Sequence, residues 1–212
     1  MQPPKSDICV ICGVGLADTV DHVPPKCFFQ GVENAQLRTV PACRPCNNGA
    51  SSDDEDVRFY ISAQVGKQTA ATKKLWEDGA RKNILRKTKL RESFVSTLGQ
   101  MTVIGQDGAP VTRMAFRVPN STYQRVFERT TRGLYFFHTG RILPASVPVD
   151  VTLLAGTPNM DNEAIQMLKV ETIGEEACVY RWGVMAEYAD YSLWIYRLHQ
   201  THWAMVSTGA VG

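Results

Sequence analysis

Four of the six cysteines in this 212-residue chain stand in two C-x-x-C pairs, Cys9 with Cys12 in "CVIC" and Cys43 with Cys46 in "CRPC". This spacing lets two thiolates reach one metal ion while the backbone turns around it, and two such pairs supply a tetrahedral zinc site. A redox-active C-x-x-C is disfavoured because neither pair lies between a predicted strand and a predicted helix. A disulfide framework is disfavoured because the sequence begins "MQPPKSD", without the pattern of a secretory signal. We therefore predict one structural Zn²⁺ ion that holds together a small module with little core of its own.

The thirty residues between the two pairs contain a second group of polar side chains. This interval exceeds the about 15 to 20 residues of a simple zinc ribbon. It includes "TVDHVPPKC", in which Asp21 and His22 precede two prolines and Lys26. His22 is the only histidine among the first 137 residues, and its ordinary pKa of about 6.5 would let it accept a proton near neutral pH. The position between two metal knuckles favours a catalytic histidine, and the alternative is a surface or capping residue.

Taken in order, "CVIC", "DHVPPK" and "CRPCNN" resemble the zinc-containing branch of the HNH endonucleases over roughly residues 8–60. The resemblance implies a ββα-metal fold, with an acid–histidine pair on the first strand and a third polar ligand on the helix after the second pair of cysteines. It implies that His22 is the general base and that Asp21 and Asn47 hold one catalytic Mg²⁺ or Mn²⁺ ion. The chain departs from the family at Asn47, where histidine is common, and at the middle signature position, which only Asn34 approaches.

Phosphodiester hydrolysis explains why such residues would be needed together. The reaction requires an activated water, neutralisation of charge on the phosphoryl oxygens and stabilisation of the leaving 3′ oxygen. Asp21 would face away from His22 on a strictly extended strand, so a shared site requires a twist or bulge there. Lys26 is expected to contact a phosphate.

Two further polar features have simpler alternatives. In the run "SSDDED", Asp54 or Glu55 is a reserve metal ligand, and the alternative is that these carboxylates stabilise the N-terminus of a helix. Asn47 could equally cap a helix or bond to the backbone of the second knuckle instead of binding a metal.

Basic residues are concentrated between residues 67 and 105, although the net charge of the chain is only +2. An apolar stripe runs opposite lysines and arginines there and consists of Leu75, Trp76, Ala80, Ile84 and Leu85. This pattern predicts a basic helix or helix pair. Such a surface fits a polyanionic partner, and the alternative is an ordinary solvated helix face. Besides Lys26, the predicted nucleic-acid-binding residues are Lys73, Lys74, Arg81, Lys82, Arg86 and Lys87.

The predicted fold class is α+β, in three segments. Residues 1–66 form the HNH-like zinc module, residues 67–105 a basic helical connector, and residues 106–212 an α+β domain with an antiparallel sheet. In the last segment a helix is expected from Ser121 to a stop at Gly133, with strands around residues 149–153 and at the end of the chain. Packing roles are expected for Cys27, Cys178, His138, His199 and His202.

The leading functional hypothesis is a metal-dependent endonuclease that cleaves nucleic acid, with duplex DNA favoured over RNA by the resemblance. Two alternatives remain: a non-catalytic zinc module that binds nucleic acid or a protein partner, and a zinc-thiolate redox sensor. The C-terminal segment could orient DNA, form a homodimer or act as a sensor domain. No run of eighteen apolar residues occurs, so membrane spanning and export are not expected and the default location is the cytoplasm.

Overall fold

Two short strands and two helices build the N-terminal part of the chain. In the computed structural model, which describes residues 4–63, 69–104, 108–154 and 156–209, strand β1 (Thr19–His22) pairs antiparallel with β2 (Thr39–Ala42). The two prolines after β1 help to end it, because proline has no N–H group to donate to a neighbouring strand. Strand β2 leads through Cys43 into α1 (Arg44–Gly49), and Ala50 separates α1 from α2 (Ser51–Ser62).

Helix α2 begins in the acidic run, as the sequence predicts. Asp53 and Asp54 lie in its first turn, where carboxylates interact favourably with the positive end of the helix dipole. The apolar residues that follow at helical spacing, including Val57 and Ile61, are buried. Ser51 does not cap the helix; its hydroxyl donates a hydrogen bond of 3.1 Å to the carbonyl oxygen of Asn48.

The middle of the chain is helical as far as Thr97 and then forms a hairpin. Helix α3 (Ala70–Leu75), a π turn (Trp76–Ala80), α4 (Arg81–Arg86) and α5 (Thr88–Thr97) follow one another. The prediction of a helical connector up to residue 105 is wrong in its last part, because β3 (Gly99–Ile104) pairs antiparallel with β4 (Pro110–Ala115). Gly99, a poor helix former, accounts for the change.

The π turn determines which side chains of this helical segment are buried. Leu75 and Ala80, five residues apart, are both fully buried, and Ile84 continues the same face. The extra residue in the turn rotates the helix beyond it. Leu85, which the sequence places on the apolar stripe, is consequently 62% exposed.

Helix α6 (Asn120–Thr139) is the longest of the described helices and runs through the predicted stop at Gly133. A Cβ atom at position 133 would lie only 2.6 Å from Cγ1 of Val23, so the glycine permits close contact between α6 and the chain just after β1. The helix ends at Gly140, whose φ of 70° gives the left-handed conformation of a common C-cap. The expectation of a stop at Gly133 is therefore wrong.

Five antiparallel strands form the sheet of the C-terminal part, as the sequence predicts in outline. The strands are β5 (Val149–Leu154), β6 (Lys169–Ile173), β7 (Cys178–Val184), β8 (Ser192–Leu198) and β9 (His202–Thr208). Their order across the sheet is β5-β9-β8-β7-β6, and the short helix α7 (Glu163–Gln166) precedes β6. Helix α6 packs on this sheet, where the Thr131 hydroxyl lies 2.9 Å from the Tyr196 hydroxyl.

One hydrophobic core joins all three predicted segments. Val23 after β1, Leu75 in α3 and Tyr196 in β8 belong to the same cluster of buried residues. The chain is therefore a mixed protein of helices and antiparallel sheets. Within the described ranges, no helix combines the length and the apolar character needed to cross a bilayer.

Candidate functional site

The two C-x-x-C pairs meet in space. Cys9 and Cys12 lie in a tight turn in which the Cys9 N–H donates to the Gly15 carbonyl oxygen at 2.7 Å and the Gly13 N–H donates to the Cys9 carbonyl oxygen at 2.8 Å. Cys43 directly precedes α1, and Cys46 lies within it. All four sulfur atoms lie within 4.8 Å of one another.

The cluster fits a tetrahedral metal ion. With zinc–sulfur bonds of about 2.3 Å, tetrahedral thiolates are separated by roughly 3.8 Å, and the Cys12 and Cys43 sulfurs are 4.0 Å apart. Burial disfavours the Cys12 thiolate, but hydrogen bonds from the Val14 and Gly15 backbone and the neighbouring thiols outweigh it and lower the Cys12 pKa to about 7. The four cysteines therefore lie close enough to bind a metal ion, and the donor set is consistent with structural zinc.

The residues predicted to act on a substrate line one cleft beside this cluster. The cleft, of about 490 Å³, lies between the end of β1, the last turn of α1 and the start of α2. Its lining includes the predicted residues Asp21, His22, Lys26, Asn47, Asp54 and Glu55. Asn34, the nearest residue to the middle signature position, lines a separate depression.

Asp21 and His22 reach the same cleft although they are consecutive residues of β1. Asp21 is 6% exposed, and its Oδ1 atom accepts a hydrogen bond of 2.8 Å from the backbone N–H of His22. His22 is half-buried at the end of the strand, where the chain turns towards Pro24. Burial, reinforced by the charge of Lys26, lowers the pKa of His22 below its usual 6.5. A neutral imidazole at pH 7 can accept a proton.

Asn47 connects α1 to β1 through its amide group. Its Nδ2 atom donates a hydrogen bond of 2.9 Å to the Val20 carbonyl oxygen and one of 3.1 Å to the Thr19 hydroxyl. Asn47 therefore bonds to the backbone, but the partner is β1 and not the second knuckle as predicted. The oxygen of the same amide remains for a ligand, so the structural role and metal binding are compatible.

Arg129 of α6 is a charged neighbour of the cleft that the sequence analysis misses. Its Nη2 atom lies 2.5 Å from Oδ1 of Asp54, and its Nε atom lies 3.6 Å from Oδ2 of Asp21. Burial raises the pKa of Asp54 to about 6 and also raises that of Asp21, while Arg129 opposes both shifts. One guanidinium therefore shares its charge between the buried carboxylate of Asp21 and the partly buried carboxylate of Asp54.

The other carboxylates of the acidic run also form ion pairs with basic side chains that are distant in the sequence. Arg125 makes two hydrogen bonds to Asp53, of 2.6 and 2.9 Å. Lys87 lies 2.7 Å from Asp56 and 3.3 Å from Glu55. Arg125 and Arg129 are four residues apart on α6, and this spacing on a predicted helix is the signal that could have been paired with the acidic run.

Most of the predicted phosphate-binding side chains are exposed. Lys26 lies at the cleft, and exposed positions are also occupied by Lys73, Lys74, Arg81, Lys82 and Arg86. Lys87 differs because Asp56, Glu55 and the Ser52 carbonyl oxygen already surround its ammonium group. Lys87 brings the C-terminal end of α4 against the N-terminal half of α2, where it pairs with the cleft residue Glu55.

The remaining histidines and cysteines pack within the protein, as predicted. His138 stacks on Trp182 with ring centroids 4.2 Å apart, and the His199 Nε2 atom lies 2.8 Å from the Phe28 carbonyl oxygen. The His202 ring stacks on Tyr123. Cys178 is fully buried, and the half-buried Cys27 lies 3.6 Å from the Asp54 carbonyl oxygen.

Oxygen donors suited to a divalent ion are present in the cleft, together with a competing cation. Asp21 Oδ2 is buried without a hydrogen-bond partner in the described structure, and Asn47 offers its amide oxygen. These are ligand types that Mg²⁺ accepts. Arg129 lies beside the Asp21 carboxylate, and Glu55, the reserve ligand, already bonds to Asn83 and Lys87.

Comparisons of the chain with protein-family models, with curated proteins and with solved structures find no match.

Proposed function

We propose that the chain is a metal-dependent endonuclease of the HNH type that hydrolyses phosphodiester bonds in nucleic acid. The observation that carries the proposal is the meeting of Asp21, His22 and Asn47 at one open cleft beside a four-cysteine cluster. The order of elements, β1, β2 and then the helices α1 and α2, is the order that the ββα-metal resemblance requires.

In the proposed reaction His22 is the general base. Its depressed pKa keeps the imidazole neutral at pH 7, and its half-buried ring borders the cleft, so it can take a proton from an attacking water. The Asp21 carboxylate accepts a hydrogen bond from the backbone N–H of His22, and this bond fixes the end of β1 that carries the imidazole. The neutral state of the ring and its place at the cleft support this role for His22.

Asp21 and Asn47 are the proposed ligands of a divalent cation. When bound, Mg²⁺ or Mn²⁺ would neutralise charge on the scissile phosphate and stabilise the leaving oxygen. Asn47 is held for this purpose by its two bonds to β1, which leave only its amide oxygen to be directed at a ligand. The proposed zinc ion has a structural role. Cys43 and Cys46 lie at the start of α1, and Asn47 follows Cys46 directly, so a bound ion would fix the position of Asn47.

The basic segment is the proposed binding surface for the nucleic-acid backbone. The segment contacts α2 through Lys87, which pairs with the cleft residue Glu55, and its exposed lysines and arginines are the proposed phosphate contacts. Phosphate contacts of this kind give affinity without reading sequence. Duplex DNA is the proposed substrate, on the strength of the resemblance.

A non-catalytic zinc module remains the alternative function. The buried contacts of Asp21 and Asp54 with Arg129 favour it, because they give both carboxylates a structural role without any reaction. This module would bind nucleic acid or a protein through the same surfaces and would not cleave it.

A plasmid-nicking assay with Mg²⁺ or Mn²⁺ distinguishes the two functions. We expect nicking by the wild-type protein and a loss of at least about 100-fold in the rate for His22→Ala, the range typical of a general base. Asn48→Ala is the matched control, because Asn48 lines the same cleft, is exposed and has no assigned role. Equal nicking by wild type and His22→Ala, or none by wild type with either metal, would refute the nuclease proposal.

A further inference from the structure

Arg129 is the only arginine among the described residues that contacts both Asp21 and Asp54, two of the three acidic side chains at the cleft. The residue is 6% exposed, and its guanidinium lies between Asp21 of β1 and Asp54 of α2. Because it belongs to α6, the C-terminal part of the chain contributes directly to the surroundings of the proposed site.

The hydrogen bonding of this cluster is incomplete. The Nε and Nη1 atoms of Arg129 and the Oδ2 atom of Asp21 are buried without hydrogen-bond partners in the described structure. Buried polar atoms usually have partners, and an unsatisfied one costs on the order of 1 to 3 kcal/mol. The Asp21–Arg129 contact, at 3.6 Å, is accordingly looser than the Asp54–Arg129 contact, at 2.5 Å.

A divalent cation at Asp21 would have to share that carboxylate with the guanidinium. Two carboxylates and one guanidinium leave a net charge of about −1, which is weak attraction for a doubly charged ion. A cation placed beside Arg129 would also be repelled by it, and more strongly than at the surface because the cluster is buried.

We propose that Arg129 is a positioning residue that acts as an internal competitor of the divalent ion. It holds the Asp21 carboxylate when no ion is bound, and it keeps the ion affinity low until a substrate phosphate adds its negative charge to the cleft. This inference rests on the proposed function, because it takes Asp21 to be an ion ligand.

The test measures Mn²⁺ binding to the full chain, with its zinc retained and without nucleic acid, by electron paramagnetic resonance or calorimetry. We expect wild-type Kd values in the millimolar range and at least a tenfold lower Kd for Arg129→Met. The added substitution Asp21→Asn should abolish the gain, because it removes the proposed ligand. Arg129→Gln, which keeps hydrogen-bond donors without the charge, should shift the Kd in the same direction if Arg129→Met does not fold.

Arg125→Met is the matched control. Arg125 lies one turn before Arg129 on α6 and pairs with Asp53, so its loss changes the net charge equally without touching Asp21. We expect the Mn²⁺ affinity of this variant to stay within about twofold of wild type. Zinc content and circular dichroism establish that each variant is folded.

Two results would overturn the inference. One is a Kd for the folded Arg129 variants equal to that of wild type and Arg125→Met. The other is micromolar Mn²⁺ binding by the wild-type protein that Asp21→Asn abolishes. Mn²⁺ binding is measured without cleavage, so this test and the nicking assay can give different answers. If the wild-type protein nicks DNA but the Arg129 variants do not bind Mn²⁺ more tightly, only the proposal for Arg129 is refuted. If the Arg129 variants bind Mn²⁺ more tightly through Asp21 but the wild-type protein does not nick DNA, only the nuclease proposal is refuted.

Discussion

The Nδ2 atom of Asn47 lies 2.9 Å from the carbonyl oxygen of Val20, so helix α1, which contains Cys46, is bonded directly to the strand that carries His22. The same nitrogen also reaches the Thr19 hydroxyl. One side-chain amide therefore makes two of the contacts that hold α1 against the histidine strand.

Asn47→Ala should reduce both stability and nicking. Loss of the two hydrogen bonds is expected to lower the free energy of unfolding by about 1 to 2 kcal/mol, and loss of the amide oxygen removes a proposed ion ligand. Asn47→Asp separates these effects, because it keeps an oxygen ligand and loses the NH₂ donor. Urea unfolding and nicking of both variants provide the measurement. Unchanged stability of Asn47→Asp would contradict the structural role of the NH₂ group.

Cys43→Ser should lose bound zinc and destabilise the N-terminal part of the chain. The cluster requires four thiolates, and metal binding of this type contributes strongly to folding. His22→Ala should keep wild-type zinc content and thermal stability, because His22 is not among the clustered cysteines. Zinc analysis and thermal unfolding of the two variants test this division. Loss of zinc in His22→Ala would show that the division is wrong.

Lys82→Ala and Lys87→Met should affect different properties. Lys82 is exposed, so its removal should reduce the slope of log K against log salt for DNA binding by about one. Lys87 is held by Asp56 and Glu55, so its removal should mainly lower the free energy of unfolding, by about 1 kcal/mol. Anisotropy of a labelled duplex over a series of KCl concentrations, combined with urea unfolding, distinguishes the two. Identical salt slopes for both variants would argue against this assignment of Lys87.

His138 should make the fold sensitive to acid. Its Nε2 atom lies 2.9 Å from the Tyr180 hydroxyl, and burial, together with Arg38 and Lys169, lowers its pKa to about 4. A histidine with a depressed pKa binds protons less readily when folded, so its contribution to stability is present above about pH 6.5 and is lost as the pH falls towards 4.

The variant that isolates this effect is His138→Gln. It should lose less stability between about pH 7 and pH 4.5 than the wild-type protein does, by on the order of 1 to 2 kcal/mol after allowance for partial exposure of the ring. Urea unfolding across that range is the measurement. Parallel pH profiles for the two proteins would show that His138 does not titrate in this way.

Local spacing made the four-cysteine cluster predictable. The two cysteines of each C-x-x-C pair lie within four residues of sequence. Binding of all four to one ion requires that the two pairs meet. Helix α2 was predictable for the same kind of reason, since the acidic first turn and the apolar spacing after it are local properties.

Contacts between distant segments were not predictable in this way. Arg129 approaches Asp54 across 75 residues. The spacing of Arg125 and Arg129 and the acidic run are each visible in the sequence, but nothing in either segment indicates that the two meet. The π turn at residues 76–80 likewise changes the helical phase without a local signal, and this explains why Leu85 is exposed instead of buried.

Gly133 lies four residues after Arg129 on α6, so both face the same side of that helix. Because Gly133 has no side chain, Val23 packs directly against the backbone of α6. A larger residue there would act as a spacer: it would push the helix outwards and lengthen the gap that the guanidinium must bridge to Asp21. A residue with no functional group of its own thus allows the close approach of α6 to β1 that the Arg129–Asp21 contact needs.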